Sequence, residues 1–470
     1  MSKQDLVTWM ETNGNVFAEM AKNIWDHPEV GYEEVYASNL QSEYLIGEGF
    51  RVTTGVGGVD TAFVAEFGSG NPVIGILGEF DALPGLSQNV AFEQSPIVNG
   101  GPGHGCGHNL LGTAGVEAAV ALSMRMKEEG ISGTIRYYGC PAEELLSGKT
   151  FMARDRIFHD LDAVLTWHPG TGNATANFSM QALTAVEFYF HGRTAHAGGA
   201  PHLGRSALDA VELMNVGANY LREHVPDGSR IHYQITNGGL APNIVPDKAS
   251  VYYFLRGANR KQVDDLYARL IKVAQGAAMM TETTVDWVIK AGCFDTLPNV
   301  ALNDLMFAQA ELVETISFTE EEITFAEQLR GSVDPAVLAS SGPMLSILPT
   351  AMGNDKRQYG ITVGGSSDVG DVSWIVPMGQ IFTTCAPFGV QFHTWQATAA
   401  FGSTIGMKGM HYAAKLMALS AYDLLVNKDG ILEQAKAEFD EKTAGFEFRA
   451  GIPSEVNAPR ASIPKPVLTA

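Results

Sequence analysis

The chain has 470 residues, 45% apolar and 18% charged, enough to pack two or three domains around a large core and too apolar for a disordered chain. Its 52 acidic against 31 basic side chains give a formal charge of −21, which repels phosphate backbones and anionic lipid and argues against nucleic-acid or membrane partners. The apolar runs fall short of the ~20 residues a bilayer span needs, and MSKQDLVTWM has neither the basic region nor the apolar core of a secretion signal, so a cytoplasmic location is expected.

Apolar residues at three- and four-residue spacing predict helices over about 15–28 and 34–49. Strands are predicted near 51–55, 60–67 and 73–78, then a helix over 109–129 stopped by Gly130. TIRYYGC (134–140) and LDAVLTW (161–167) are the next strands, with a helical stretch near 148–157 between them. Strands alternating with helices make an α/β protein with a mostly parallel sheet covered on both faces. Between 182 and 292 the rhythm becomes strand, helix, strand, strand, helix, strand. This βαββαβ order is that of a ferredoxin-like unit inserted as a domain of its own, which splits the first domain into 1–181 and 293–470. Beyond it the reading gives helices near 300–314 and 319–330, a strand at 381–385 and a helix over 403–427. The Gly-, Ser- and Pro-rich 331–370 reads as loop or lid, and the last ~25 residues, with Pro453, Pro459, Pro464 and Pro466, as an extended tail.

The densest chemical signal is GPGHGCGHN (101–109), where Cys106 and His108 flank one glycine and His104 lies just upstream. Thiolate with imidazole is a transition-metal pair, although alternating glycines before a helix also suit a phosphate-cradling loop. That alternative is weakened because no strand leads directly into the glycines. The four cysteines, Cys106, Cys140, Cys293 and Cys385, are too scattered for a disulfide framework. CPAEE (140–144) follows a strand, at the edge where open α/β sheets bind ligands. Adjacent Glu143 and Glu144 diverge, so one can bind a metal while the other reaches a water as general base. Asp81, His168 and His393 also follow strands. Cys106, His108, Glu144, His168 and His393 together could hold two divalent ions. The inserted unit adds Arg193, His196, His202, Arg205, Asn243 and Arg256, donors suited to a carboxylate or an oxyanion.

HPEVGYEE (27–34), GEFDALPG (78–85), HGCGHNLLGTA (104–114), GCPAEE (139–144), TWHPG (166–170), TAHAGGAPHLGRSALDA (194–210), APNIVPD (241–247) and SSDVGDVSW (366–374), with the HTWQ and GMKGM region, resemble the zinc-dependent aminoacylase and glutamate carboxypeptidase superfamily. Within it the chain is similar to the amidohydrolase branch, in order from about 20 to 430. The resemblance implies a catalytic domain carrying two divalent ions, Zn²⁺ or Mn²⁺, and an inserted lid that also forms a homodimer. It implies Cys106, His108, Glu144, His168 and His393 as metal ligands, Glu143 as general base and Asp81 as a catalytic acid behind the ligands. It further implies that His196 polarises the scissile carbonyl in the partner subunit's site, with Asn243 and Arg256 near the substrate's carboxylate. The branch usually has Asp where this chain has Asn109, which leaves the charge behind the ligands open.

The reaction expected is metal-assisted hydrolysis of an N-acyl or N-aroyl amino acid, first of all p-aminobenzoyl-glutamate. Alternatives are a dipeptidase or N-acyl amino-acid deacylase, a metal-binding subunit that needs a related partner chain, and a thiol hydrolase using Cys106.

Overall fold

The computed structural model describes residues 3–462. In chain order the strands are β1 (Arg51–Thr54), β2 (Phe63–Ser69), β3 (Val73–Glu79), β4 (Gly133–Cys140), β5 (Ala163–Gly170), β6 (Asn173–Thr175), β7 (Ser179–Met180), β8 (Ala182–His191), β9 (Arg230–Asn237), β10 (Lys248–Gly257), β11 (Thr284–Cys293), β12 (Met352–Gly353), β13 (Thr362–Val363) and β14 (Met378–Thr384). The large sheet runs β1-β2-β4-β3-β5-β14-β6-β12. Its centre, β4-β3-β5-β14, is parallel, so four strands end on one edge. β3 is buried along its whole length, as a parallel strand covered on both faces must be.

One face is covered by α1 (Lys3–Asp26), α3 (His108–Glu129) and the helix Thr404–Leu425, with Phe17, Ile24, Leu110, Leu122 and Leu416 in their shared core; α2 (Val35–Gly47) packs beside them. The other face is covered by α4 (Gly148–Arg154) and the short helix Val369–Ser373, which bury Phe151, Phe158, Val372, Leu77 and Tyr138. α1 starts a dozen residues earlier than its spacing predicts. Leu6, Val7 and Met10 extend the buried stripe of Phe17, Met20 and Ile24, but Asn13-Gly14-Asn15 reads as a break. Gly14 lies inside this helix where His411 packs close: a β-carbon there would lie 2.9 Å from the imidazole.

The inserted unit runs β8, α5 (Ala207–Leu221), β9, β10, α6 (Arg260–Thr281), β11, in the order expected. Its antiparallel sheet is ordered β11-β8-β10-β9, with the first strand of the unit between the last and the third. α5 and α6 bury Val211, Met214, Leu266 and Leu270 against Phe188, Phe190 and Tyr253, a core separate from that of the large sheet.

The stretch expected as loop or lid, 331–370, is partly structured: it holds the helix Pro335–Ser340, β12 paired with β6, and β13 paired with β7. Two-residue strands carry no periodicity, so nothing in the residue pattern announces them. The expected tail is irregular up to Ser462 but packed. Arg154 Nη1 donates to the carbonyls of Pro453 (3.1 Å) and Val456 (2.7 Å), Arg460 pairs with Asp60, and Ile452 and Ala458 are buried. Pro464 and Pro466 lie outside the described residues. Among the described residues no helix is long and apolar enough to cross a membrane.

Candidate active site

The carboxyl edge of the large sheet gathers the residues singled out above. β3 delivers Glu79 and Asp81, β4 leads into Glu143 and Glu144, β5 carries His168, and the loop after β14 brings His393. Gly107, with φ of 81°, turns the chain between Cys106 and His108, the first residue of α3. His108 Nε2 lies 3.3 Å from Glu79 Oε2 and 3.8 Å from Glu143 Oε2. Cys106 Sγ lies 3.5 Å from His168 Nε2, and His393 Nε2 lies 3.4 Å from Glu144 Oε2.

These spacings suit cations. Two nitrogen or oxygen donors each ~2.1 Å from one divalent ion stand roughly 3–3.5 Å apart. Cys106 with His108 and His168, Cys106 with Glu144 and His393, and Glu79 with His108 and Glu143 each bring their ligand atoms within 4.8 Å of one another. Glu79 Oε2, His108 Nε2 and Glu144 Oε1 are buried without a hydrogen-bond partner, a cost that a cation would remove. Burial, with the charge of Glu79, raises the Glu143 carboxyl well above its usual range, and burial lifts Glu144 to about 7. Burial also drops His168 to about 4, which leaves a neutral, ligating imidazole.

Both imidazoles are oriented through their other nitrogen: buried His108 Nδ1 lies 2.8 Å from Asp81 Oδ1, and half-buried His168 Nδ1 lies 2.8 Å from the Pro169 carbonyl. Such partners fix a ligating tautomer. They do not favour a thiol nucleophile, because burial raises the Cys106 thiol and lowers His168, opposing a thiolate–imidazolium pair.

Three buried carboxylates anchor the turn bearing Glu143. Glu34 accepts from the Ala142 N–H (2.8 Å), Asp81 from the Glu144 N–H (2.8 Å) and Asp368 from the Lys149 N–H (2.7 Å). Ala142 (φ 56°) and Leu146 (φ 53°) hold left-handed conformations in this turn, and His393 (φ 61°) does so across the site. Such conformations persist where surrounding bonds over-determine them. Burial followed by the charge of Asp81 raises Glu34 to about 8. Burial would strip the Lys149 proton, but Asp368 and Glu79 outweigh it and hold the ammonium well above its usual value.

A cleft of about 610 Å³ opens over the cluster. Glu79, Cys106, Glu143, Glu144, His168 and His393 form its polar side, and Phe178, Phe254, Phe382 and Phe392 its apolar walls. Arg256 lines it from the inserted unit and donates from Nη1 to Ser366 Oγ (2.7 Å). His196 and Asn243 are not among the residues lining this cleft. They are exposed and adjacent, the Ala197 N–H donating to the Asn243 carbonyl at 3.0 Å. Arg193 donates to the Leu203 carbonyl, Arg205 pairs with Glu282, and His202 is exposed. His104 is buried, its Nε2 3.2 Å from the Ile24 carbonyl, and burial lowers it to about 3. Asn109 donates to the carbonyls of Ala21 (3.3 Å) and Phe401 (3.2 Å), contacts an acceptor-only carboxylate could not make. Glu34, Glu79, Lys149 and Asp368 were not anticipated. Only Glu79 had a visible signal, standing two residues before Asp81 at a strand end.

A family described as a peptidase dimerisation domain matches residues 179–279. The chain is 40% identical over 465 residues to one of the subunits of p-aminobenzoyl-glutamate hydrolase of Escherichia coli (strain K12), covering 95% of this chain and 96% of that protein. It is 28% identical over 433 residues to an Xaa-Arg dipeptidase of Mus musculus, covering 89% and 88%. A solved structure, a dinuclear metal binding peptidase from the M20 family of Bacillus subtilis, shares the fold with a TM-score of 0.58 at 16% identity, over 88% of this chain and 99% of that one.

Proposed function

This chain belongs to the M20 family of metal-dependent hydrolases of amide bonds, and on that premise we propose that it cleaves the amide joining an acyl or aroyl group to an amino acid, with p-aminobenzoyl-glutamate as its substrate. The observation that carries the reading is the convergence of Cys106, His108, Glu144, His168 and His393: Cys106 with His108 and His168, and Cys106 with Glu144 and His393, each bring their donor atoms within 4.8 Å of one another. These five side chains would hold two divalent ions. The thiolate favours Zn²⁺, whereas the imidazoles and carboxylate also accept Mn²⁺. Bound there, the ions supply Lewis acidity, which lowers the pKa of a water toward ~7 and polarises the scissile carbonyl.

Glu143 is the general base. It faces the cleft beside His108, where its carboxylate can take a proton from the attacking water and pass it to the leaving nitrogen. The water oxygen bonds to the carbonyl carbon, the C–N bond breaks, and a carboxylate and a free amine leave. Asp81 orients His108 and pins Glu144. Arg256 offers its guanidinium to the substrate's carboxylate, and Phe178, Phe382 and Phe392 form the wall for the aroyl ring. Among the described residues, the carboxylates lining the cleft are Glu79, Glu143 and Glu144, all beside the candidate metal ligands. The Xaa-Arg dipeptidase relative suggests a dipeptidase as the second reading.

Residues 182–292 act as the lid and dimerisation domain between catalytic parts 1–181 and 293–470. His196 and Asn243, exposed at the rim of the inserted unit, serve the partner's cleft in a homodimer, and a related subunit could replace that partner. The test is a panel of aroyl glutamates, acyl amino acids and unblocked dipeptides, run on purified protein with Zn²⁺ or Mn²⁺ and again after chelation. Turnover of p-aminobenzoyl-glutamate that chelation abolishes is expected. Turnover confined to dipeptides would establish the second reading, and no hydrolysis of any amide would reduce the protein to a binding subunit.

A further inference from the structure

Glu79 ends β3 almost fully buried, and its two carboxylate oxygens have different surroundings. Oε1 lies 2.6 Å from Lys149 Nζ. Lys149 Nζ lies equally close, at 2.6 Å, to Asp368 Oδ1, while Asp368 Oδ2 accepts the Lys149 N–H. One buried ammonium therefore meets two buried carboxylates. Asp368 already neutralises Lys149 and is tied to it twice, so Glu79 remains a surplus buried negative charge that needs a second positive partner. Its Oε2 has no hydrogen-bond partner and lies 3.3 Å from His108 Nε2, the spacing of two donors on one ion.

We propose that Glu79 is a sixth protein ligand of the cation pair, sharing an ion with His108, and that Lys149, clamped by Asp368, is the positioning residue that turns Glu79 Oε2 toward it. This rests on the metal-dependent reading above. It adds a ligand from β3 to those from α3, β4, β5 and the loop after β14, and it gives the SSDVGDVSW segment a role at the site through Asp368. The rival role for Glu79 is that of a plain counter-ion to Lys149.

The test compares the wild-type dimer with Glu79→Gln, Lys149→Met and the double variant, each loaded with Co²⁺ or Zn²⁺. Ions per chain, affinity against a competing chelator, the visible absorption of the Co²⁺ form and the melting temperature are recorded. Wild type should take up two ions. Glu79→Gln should lose one of them or bind it at least tenfold more weakly, with an altered Co²⁺ spectrum. The double variant removes both charges and should regain melting temperature without regaining the ion. Two ions held by Glu79→Gln with wild-type affinity and spectrum would overturn the proposal, as would a double variant whose ion content returns together with its stability. Wild-type protein that takes up no ions would sink both this proposal and the metal-dependent reading, which separates that failure from the failure of the Glu79 assignment alone.

Discussion

Asp81 and His108 face each other at 2.8 Å in a fully buried pair, and the second oxygen of the same carboxylate accepts the Glu144 N–H at 2.8 Å. One carboxylate thus sets the ring plane of His108 and the backbone of Glu144, two candidate ligands. In Asp81→Asn the amide can still accept from one of these donors, but its NH₂ is then turned against the other. Metal affinity should fall ~10- to 100-fold, read by competition with a chelator. Unchanged affinity would show that the two ligands are oriented by other contacts.

Glu143→Gln keeps the volume and removes the proton acceptor. Turnover should fall ~100- to 10,000-fold while ions per chain stay at the wild-type value. A variant that loses ions in proportion to its activity would make Glu143 a ligand instead.

The parallel centre of the sheet made much of this site legible. Once VIGILG and TIRYYGC read as buried parallel strands, whatever follows them must open on one edge, and Asp81, Glu143 and Glu144 follow such strands while His168 lies near the end of β5. Cys106 and His108 announced themselves by standing one glycine apart. Lys149 was invisible because a lysine is seldom fully buried, and its counter-ions come from β3 and from Asp368, 219 residues away. Glu34 was hidden likewise, since its partner Ala142 N–H lies 108 residues away. The first turns of α1 were masked by Gly14, whose meaning lies in the distant His411.

Arg256→Ala should weaken kcat/KM for p-aminobenzoyl-glutamate by ~10- to 100-fold, the worth of a charge-assisted hydrogen bond to a carboxylate. The loss should appear mainly in KM. It should be nearly absent for an aroyl amide that lacks the carboxylate, and an equal loss on both substrates would remove Arg256 from carboxylate recognition.

Glu34 carries a stability signature. Its folded pKa of about 8 exceeds the usual 4.5, so between these values the folded chain holds a proton that the unfolded chain has released. Stability contributed by that proton is fully present below about 4.5 and is lost as pH rises toward 8, by up to ~1.4 kcal/mol per pH unit within the window. Glu34→Gln should flatten this decline in melting curves recorded from pH 5 to 8. A variant with the wild-type slope would assign the decline to other groups.

The central claim, that distant segments build a site for catalytic cations, is tested most directly by metal analysis of the purified protein coupled to turnover of p-aminobenzoyl-glutamate before chelation, after chelation and after re-addition. The account predicts two ions per chain, activity that disappears with them and activity that returns with Zn²⁺ or Mn²⁺. Full turnover by protein stripped of divalent metal would contradict it.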